Sequence, residues 1–241
     1  MTGPPLTGER TVPGARSENY WFRRHEAAYR WAMRAARGAI VDAGCGEGYG
    51  TAMLARRGRV LGLDLDPRPI GAAAPRYPGA SFGVADLCHL PVASAETIVA
   101  LQVIEHLWCP AEFVAACARA LSPEGLLLVS TPNAETFPTG VNPSHTHEYT
   151  AAELGGLLGT AFARVELLGL RHGSALRRLD RVLGGSVQRR LISTPYDELP
   201  VTARVRLRAI RARHFRIGAD PSASLDLLAI CRNASRLPSA P

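Results

Sequence analysis

The chain contains no lysine, so all 28 of its basic residues are arginine. A phosphate-binding P-loop, which needs a lysine after its glycines, is thereby excluded. No apolar run approaches the roughly 20 residues that span a bilayer. The start, Met1-Thr2-Gly3-Pro4-Pro5, lacks the basic and apolar regions of a secretory signal, so a cytoplasmic protein with no membrane partner is expected. C-x-x-C spacing is absent as well. The five cysteines (Cys45, Cys88, Cys109, Cys117, Cys231) are scattered and odd in number, which predicts reduced structural thiols rather than a disulfide framework or a zinc site.

What is present fits one globular unit. An apolar content of 46% over 241 residues supports a single substantial core. The net charge of +7 is uneven: residues 164–216 hold 13 arginines against four acids, whereas the rest holds 15 against 17. The basic excess therefore lies in one late segment.

The most informative stretch is Val41-Asp42-Ala43-Gly44-Cys45-Gly46-Glu47-Gly48-Tyr49-Gly50. A short apolar run ends in a carboxylate and enters a turn with glycine at every second position. Such glycines take left-handed angles and let a ligand lie against bare main chain, and the helix that follows directs unpaired N–H groups at that ligand. A dinucleotide fingerprint needs G-x-G-x-x-G. Counted from Gly44 the third position is Tyr49, and counted from Gly46 it is Thr51, so the pattern fails. Asp42 suits a cationic ligand better than a pyrophosphate. S-adenosylmethionine, with a sulfonium, an ammonium and no phosphate, fits that description.

Strand and helix signals alternate from residue 39 onward, which predicts parallel βαβ units. Strands are read near Ala39–Ala43, Val60–Asp64, Ser81–Val84, Thr97–Gln102, Leu126–Thr131, Arg164–Leu170 and Leu225–Cys231. Helices are read near Glu18–Arg34, Tyr49–Arg57, Pro69–Arg76, Ala111–Ala120 and Ala151–Leu158, the last begun by a Thr150/Glu153 capping box. Leu176, Leu179, Leu183, Val187 and Leu191, then Val201, Val205 and Ile210, recur at helical spacing. They predict an amphipathic two-helix insertion before the last strand. Met1–Gly14 and Arg236–Pro241 read as tails. Ligands of open parallel sheets bind at the carboxyl ends of strands, where Asp64 is placed to accept ribose hydroxyls and Asp86, with the Leu87 backbone, to edge an adenine.

Together Val41–Gly50, Asp64, Ala85-Asp86-Leu87 and Gln102-Val103-Ile104-Glu105-His106-Leu107 resemble the class I S-adenosylmethionine-dependent methyltransferases. The resemblance implies a Rossmann-like sheet of seven strands in the order 3-2-1-4-5-7-6, the last antiparallel, with helices on both faces. One domain over residues 1–241 is expected: tail and capping helix to 37, cofactor-binding core over 38–170, an arginine-rich helical lid over 171–224, and last strand and tail over 225–241. The implied donor site has Asp42, Gly44, Cys45, Gly46 and Gly48 around the methionine end. It adds Asp64 and Leu65 at the ribose, Asp86 and Leu87 at the adenine, Gln102 at the fourth strand's end, and Arg24 as partner of the donor's carboxylate. Gly8–Gly14 and Glu18–His25 resemble actinobacterial enzymes linked to methylated sugars and polysaccharides.

Methyl transfer from a sulfonium needs alignment, exclusion of water and, for a neutral hydroxyl, a base. Histidine suits that task near neutral pH. His106 and His145 are the base candidates, with Glu105 orienting; His25, His89, His172 and His214 read as structural. The small-RNA 3′-terminal 2′-O-methyltransferases resemble this stretch too. There Glu-x-x-Glu-His and a later histidine ligate a divalent metal, but Gln102 replaces the first carboxylate here. A metal-free site is therefore the expectation. The expected acceptor is a small molecule, sugar-containing or anionic, methylated on oxygen. N- or C-methylation and RNA 2′-O-methylation are the alternatives, nucleic acid being disfavoured by the sparse aromatics of the basic segment. The oligomeric state stays open, a homodimer included.

Overall fold

The computed structural model describes residue 11 and residues 13–137, 142–182 and 185–234. The two expected tails lie outside these for the most part, as does Leu183 of the insertion pattern. After α1 (Asn19–Ala35) the chain alternates through β1 (Gly38–Ala43), α2 (Tyr49–Leu54), β2 (Gly58–Asp64), α3 (Pro67–Arg76) and β3 (Ser81–Val84). It continues through β4 (Ala95–Leu101), α4 (Pro110–Ala120), β5 (Leu121–Pro132), α5 (Ala151–Gly159) and β6 (Phe162–His172). Three helices follow, α6 (Ser174–Val182), α7 (Val187–Ser193) and α8 (Val201–Arg208), then β7 (Phe215–Gly218) and β8 (Asp226–Ala234).

Among the described residues one sheet of eight strands runs β3-β2-β1-β4-β5-β8-β6-β7. β1 to β5 pair in parallel, and β8 lies antiparallel between β5 and β6. The expected seven-strand order is therefore present with one addition. β7 is an extra edge strand, paired antiparallel to β6 from His172↔Phe215 to Gly169↔Gly218. Four residues inside a helical pattern carry too little alternation to show a strand. The insertion also differs from expectation in having three helices instead of two.

The central strands are apolar without interruption because both faces of the sheet are covered. Successive residues point to opposite faces: Val99, Leu126 and Leu128 join α1, α2 and the late helices, while Ile98, Leu127 and Val129 join α4 and α5. α1 buries Tyr20, Ala27, Ala28, Tyr29, Trp31 and Ala32, and α6 to α8 pack Leu176, Leu179, Val187, Ala203 and Leu207 into the same core. Helix starts follow local chemistry. Asp66 accepts from the Arg68 amide with Pro67 at the first helical position, and the Thr150/Glu153 capping box is formed in both directions.

Cys88 and Cys109 are joined as a disulfide, their Cα atoms 6.0 Å apart, which corrects the expectation of five thiols. The turn after β3 and the residue before α4 meet at one end of the sheet, a convergence that a separation of 21 residues does not reveal. Cys45, Cys117 and Cys231 are free and buried. No described helix is long and apolar enough to cross a membrane.

Candidate active site

A cavity of about 660 Å³ opens at the carboxyl ends of β1, β2 and β4. There the strand order reverses between β1 and β4, the position where open α/β sheets bind ligands. Gly44, Cys45, Gly46, Asp64, Leu65, Asp86, Leu87 and Gln102 all line it. Gly44 has φ +77 and Gly46 φ +49. A Cβ on Gly44 would strike the Val103 side chain at 2.4 Å, while one on Gly46 would meet nothing within 4 Å. Gly46 is thus bare main chain at the cavity wall, and its amide donates to Asp64 Oδ2 at 2.8 Å. Asp64 Oδ1 accepts from the Asp66 amide at 3.0 Å. Asp86 accepts from the Cys88 amide at 3.0 Å, and that hydrogen bond holds its carboxyl below the usual range.

Asp42 and Gly48 sit elsewhere than expected. Asp42 is fully buried and is not part of the cavity wall. Its oxygens accept from Thr51 Oγ1 at 2.6 Å and from the Tyr29 hydroxyl at 3.1 Å, which ties α1 and α2 to the end of β1. Burial pushes its carboxyl up to about 7. Gly48, at φ +75, faces Ala73 and Phe82 rather than the cavity. Both residues shape the loop from beneath.

Arg24 lines the cavity, yet its charge is committed. Its Nε donates to Asp226 Oδ2 at 2.7 Å, Nη1 to Gln188 Oε1 at 2.6 Å, and Nη2 to the Leu225 carbonyl at 2.6 Å and to Asp226 Oδ1. The expected pairing with the donor's carboxylate is replaced by an internal ion pair between residues far apart in sequence. His25 also lines the cavity, with both ring nitrogens engaged by protein partners. Its Nε2–H donates to the Leu101 carbonyl at 3.2 Å, so Nδ1 accepts from the Tyr49 hydroxyl at 2.5 Å. Burial pulls its pKa down to about 4.

The opposite end of the cavity is built by the turn after β4 and by residues 142–149. Glu105 is completely buried. Its main-chain carbonyl accepts from the Thr146 amide at 2.7 Å and from Thr146 Oγ1 at 3.0 Å, which docks the second segment on the first. That docking brings the His106 and His145 rings to 4.6 Å, edge to face. Glu105, His106 and His145 each bring one side-chain oxygen or nitrogen within 4.8 Å of the others. His106 Nδ1 faces the Ser144 carbonyl at 3.2 Å. His145 Nδ1 lies 2.5 Å from Glu148 Oε1, with the two side chains only 7% and 2% exposed. Burial pushes the Glu105 carboxyl up to about 8, with the Asp226 and Glu148 carboxylates adding to the rise.

Glu105 Oε2 accepts from Thr131 Oγ1 at 2.9 Å, but Glu105 Oε1 and Glu148 Oε2 are buried without a hydrogen-bond partner. Leaving such an oxygen unsatisfied costs on the order of 1–3 kcal/mol, and each case asks for an explanation. His147 turns outward to Glu153 at 3.7 Å and is half exposed. Gln102 Nε2 turns to Ser130 Oγ at 3.2 Å and Asp226 Oδ1 at 3.3 Å.

Sequence reasoning missed Glu148, although its spacing of three from His145 allows the contact. It missed Asp226 because nothing in the sequence links that residue to Arg24. None of the arginines of residues 164–216 lines the cavity among the described residues. Most of them are exposed, so the basic segment is a solvated outer face, and it reaches the cavity through Ile192.

Residues 41–129 match the family model described as a methyltransferase domain. The chain is 46% identical to a "Probable S-adenosylmethionine-dependent methyltransferase" of Mycolicibacterium smegmatis, over 94% of each chain. It is 42% identical to a relative of the same description from Mycobacterium tuberculosis, over 93% of this chain and 88% of that one. Among solved structures, a SAM-dependent methyltransferase of Thermotoga maritima described as a possible histamine N-methyltransferase superposes with a TM-score of 0.63. It is 16% identical and the match covers 94% of this chain and 98% of that one, a likeness of fold.

Proposed function

This chain belongs to the S-adenosylmethionine-dependent methyltransferases, and we propose that it methylates a hydroxyl oxygen of a small, sugar-containing acceptor. The observation that carries this reading is the pair of imidazoles at the acceptor end, His145 backed by Glu148 and edged by His106. A neutral hydroxyl has to lose a proton as it attacks, whereas an uncharged amine attacks with a lone pair already available. Two histidines and a buried carboxylate at the mouth are the equipment for that proton.

In the step itself, an oxygen lone pair forms the new C–O bond while the C–S bond pair passes to sulfur. The sulfonium becomes a neutral thioether, S-adenosylhomocysteine, and the acceptor proton moves to an imidazole nitrogen and then to water. Glu105 orients the pair through the docked Thr146 backbone. The glycine loop, Cys45, Leu65 and Leu87 hold the donor, with Asp64 at its ribose and Asp86 at its adenine. Trp108 at the mouth is 75% exposed and stands with Asn142 and Ser144 in the wall. An apolar platform beside polar groups suits a polyhydroxylated ring.

Steady-state kinetics of His145→Ala and His106→Ala test the reading. General-base loss lowers kcat by roughly 10²–10⁴-fold, with S-adenosylhomocysteine affinity held within about twofold. Wild-type turnover in both variants contradicts it.

A further inference from the structure

We propose that the Cys88–Cys109 disulfide is a redox-controlled clamp on the donor site, closed when oxidised and released by dithiol reductants. The bond joins two turns of the cavity wall. Asp86, Leu87 and Cys88 line the cavity on one side of it, and Leu107 and Trp108 line it on the other. The inference rests on the reading of Asp86 and Leu87 as the adenine wall.

The bond has leverage because little else holds the first turn. Among the described residues, the hydrogen bonds of residues 86–89 all stay inside that turn. The Cys88 amide donates to Asp86 Oδ1 at 3.0 Å, the His89 amide to the Asp86 carbonyl at 3.1 Å, and His89 Nδ1 lies 3.2 Å from Asp86 Oδ2. Leu87 is buried in the core beside α4, and the disulfide adds the covalent tie to another segment. Cys109 is the better anchored partner. Its carbonyl accepts from the Phe113 amide at 3.0 Å, at the start of a helix whose Phe113, Val114 and Cys117 are completely buried. The disulfide therefore moors a weakly held turn to a fixed helix. The Cys88 amide holds Asp86 Oδ1, so a shift of Cys88 passes directly to the carboxylate. Cys88 also lines the cavity, unlike Cys117 and Cys231, so a small dithiol entering there meets the bond.

Reduction is a two-electron exchange. A thiolate of the dithiol attacks one cystine sulfur, the S–S bond pair leaves on the other, and the second thiol resolves the mixed disulfide. Cys88 and Cys109 take up two protons and end as thiols, while the reductant ends as a cyclic disulfide. Once released, the turn has to be ordered by the donor itself, and that weakens binding. The coupling is reciprocal: a donor that binds the oxidised form more tightly also protects the bond from reduction.

Calorimetry of S-adenosylhomocysteine on oxidised and dithiothreitol-reduced protein tests the clamp, with peptide mapping to identify the Cys88–Cys109 link. Reduction should weaken binding by roughly 5–150-fold, the range of site-to-site couplings, and reoxidation should restore it. In a dithiothreitol redox titration, saturating S-adenosylhomocysteine should shift the disulfide equilibrium towards the oxidised form by the same factor. A remote structural staple would give no such shift. Cys88→Ser should bind as weakly as reduced protein and ignore the reductant; if that variant fails to fold, the wild-type comparison decides. Equal affinity of the two redox forms overturns the proposal, even where Asp86→Asn weakens binding and so upholds the adenine wall. Absence of the Cys88–Cys109 link from oxidised protein overturns it as well.

Discussion

The His145 imidazole and the Glu148 carboxylate meet at 2.5 Å in the wall of the acceptor end, three residues apart on one turn of chain. Glu148 does not line the cavity, so under the proposed O-methylation its effect on an acceptor runs through His145. Glu148→Gln keeps the shape of the side chain and removes its charge. The expected result is a roughly 10–100-fold fall in kcat with S-adenosylhomocysteine affinity unchanged by calorimetry. A fall in cofactor affinity of the same size would assign Glu148 to general folding instead.

Arg24 and Asp64 should separate by assay, although both line the cavity. Removing one partner of a buried ion pair costs about 3–5 kcal/mol. Arg24→Met is therefore expected to lower urea-unfolding stability by that order, leaving Asp226 unpaired. Asp64→Asn should leave stability nearly intact and weaken S-adenosylhomocysteine roughly 10–100-fold, the worth of one or two charge-assisted hydrogen bonds of about 1.5–3 kcal/mol. An Arg24→Met protein of wild-type stability that has lost cofactor affinity would restore the sequence-based assignment.

His25 makes a pH-dependent contribution of defined sign. The folded protein keeps it neutral down to about 4, while the unfolded chain protonates it near 6.5. Between those values the unfolded state binds more protons, so this contribution to stability is lost as pH falls from 6.5 towards 4. The slope for one group is roughly 1.4 kcal/mol per pH unit. The difference in unfolding free energy between wild type and His25→Gln, measured by urea titration from pH 4.5 to 7, should rise with pH and level off near 6.5. Asp42, raised to about 7, contributes with the opposite sign and is common to both proteins, so the difference curve removes it.

Local chemistry made much of the fold legible. The run from Gly44 to Gly50, the Thr150/Glu153 cap and the apolar strands fix which segments pair, because their signals lie within a few residues. β7 escaped notice because its four residues have no independent signature and form a strand only where β6 offers an edge. Asp64, Asp86, His106 and His145 line the cavity, and their places after strands or within one polar loop made them candidates in the sequence. Asp42 was misplaced because sequence marks it as the end of β1 but not which way its side chain turns. Tyr29 and Thr51 decide that. Arg24–Asp226 and Cys88–Cys109 are juxtapositions of tertiary structure, one joining α1 to the first residue of β8 and the other joining two turns.

The central claim is that the acceptor atom is a hydroxyl oxygen. Its most direct test is a single assay of methyl-donor consumption against matched panels of sugars, phenols, amines and short RNAs. Mass detection would find the product, and NMR would locate the added methyl. The account predicts a methyl ether on a sugar-containing acceptor, with S-adenosylhomocysteine formed in equal amount. Methyl groups found only on nitrogen or carbon, or turnover with RNA alone, would contradict it.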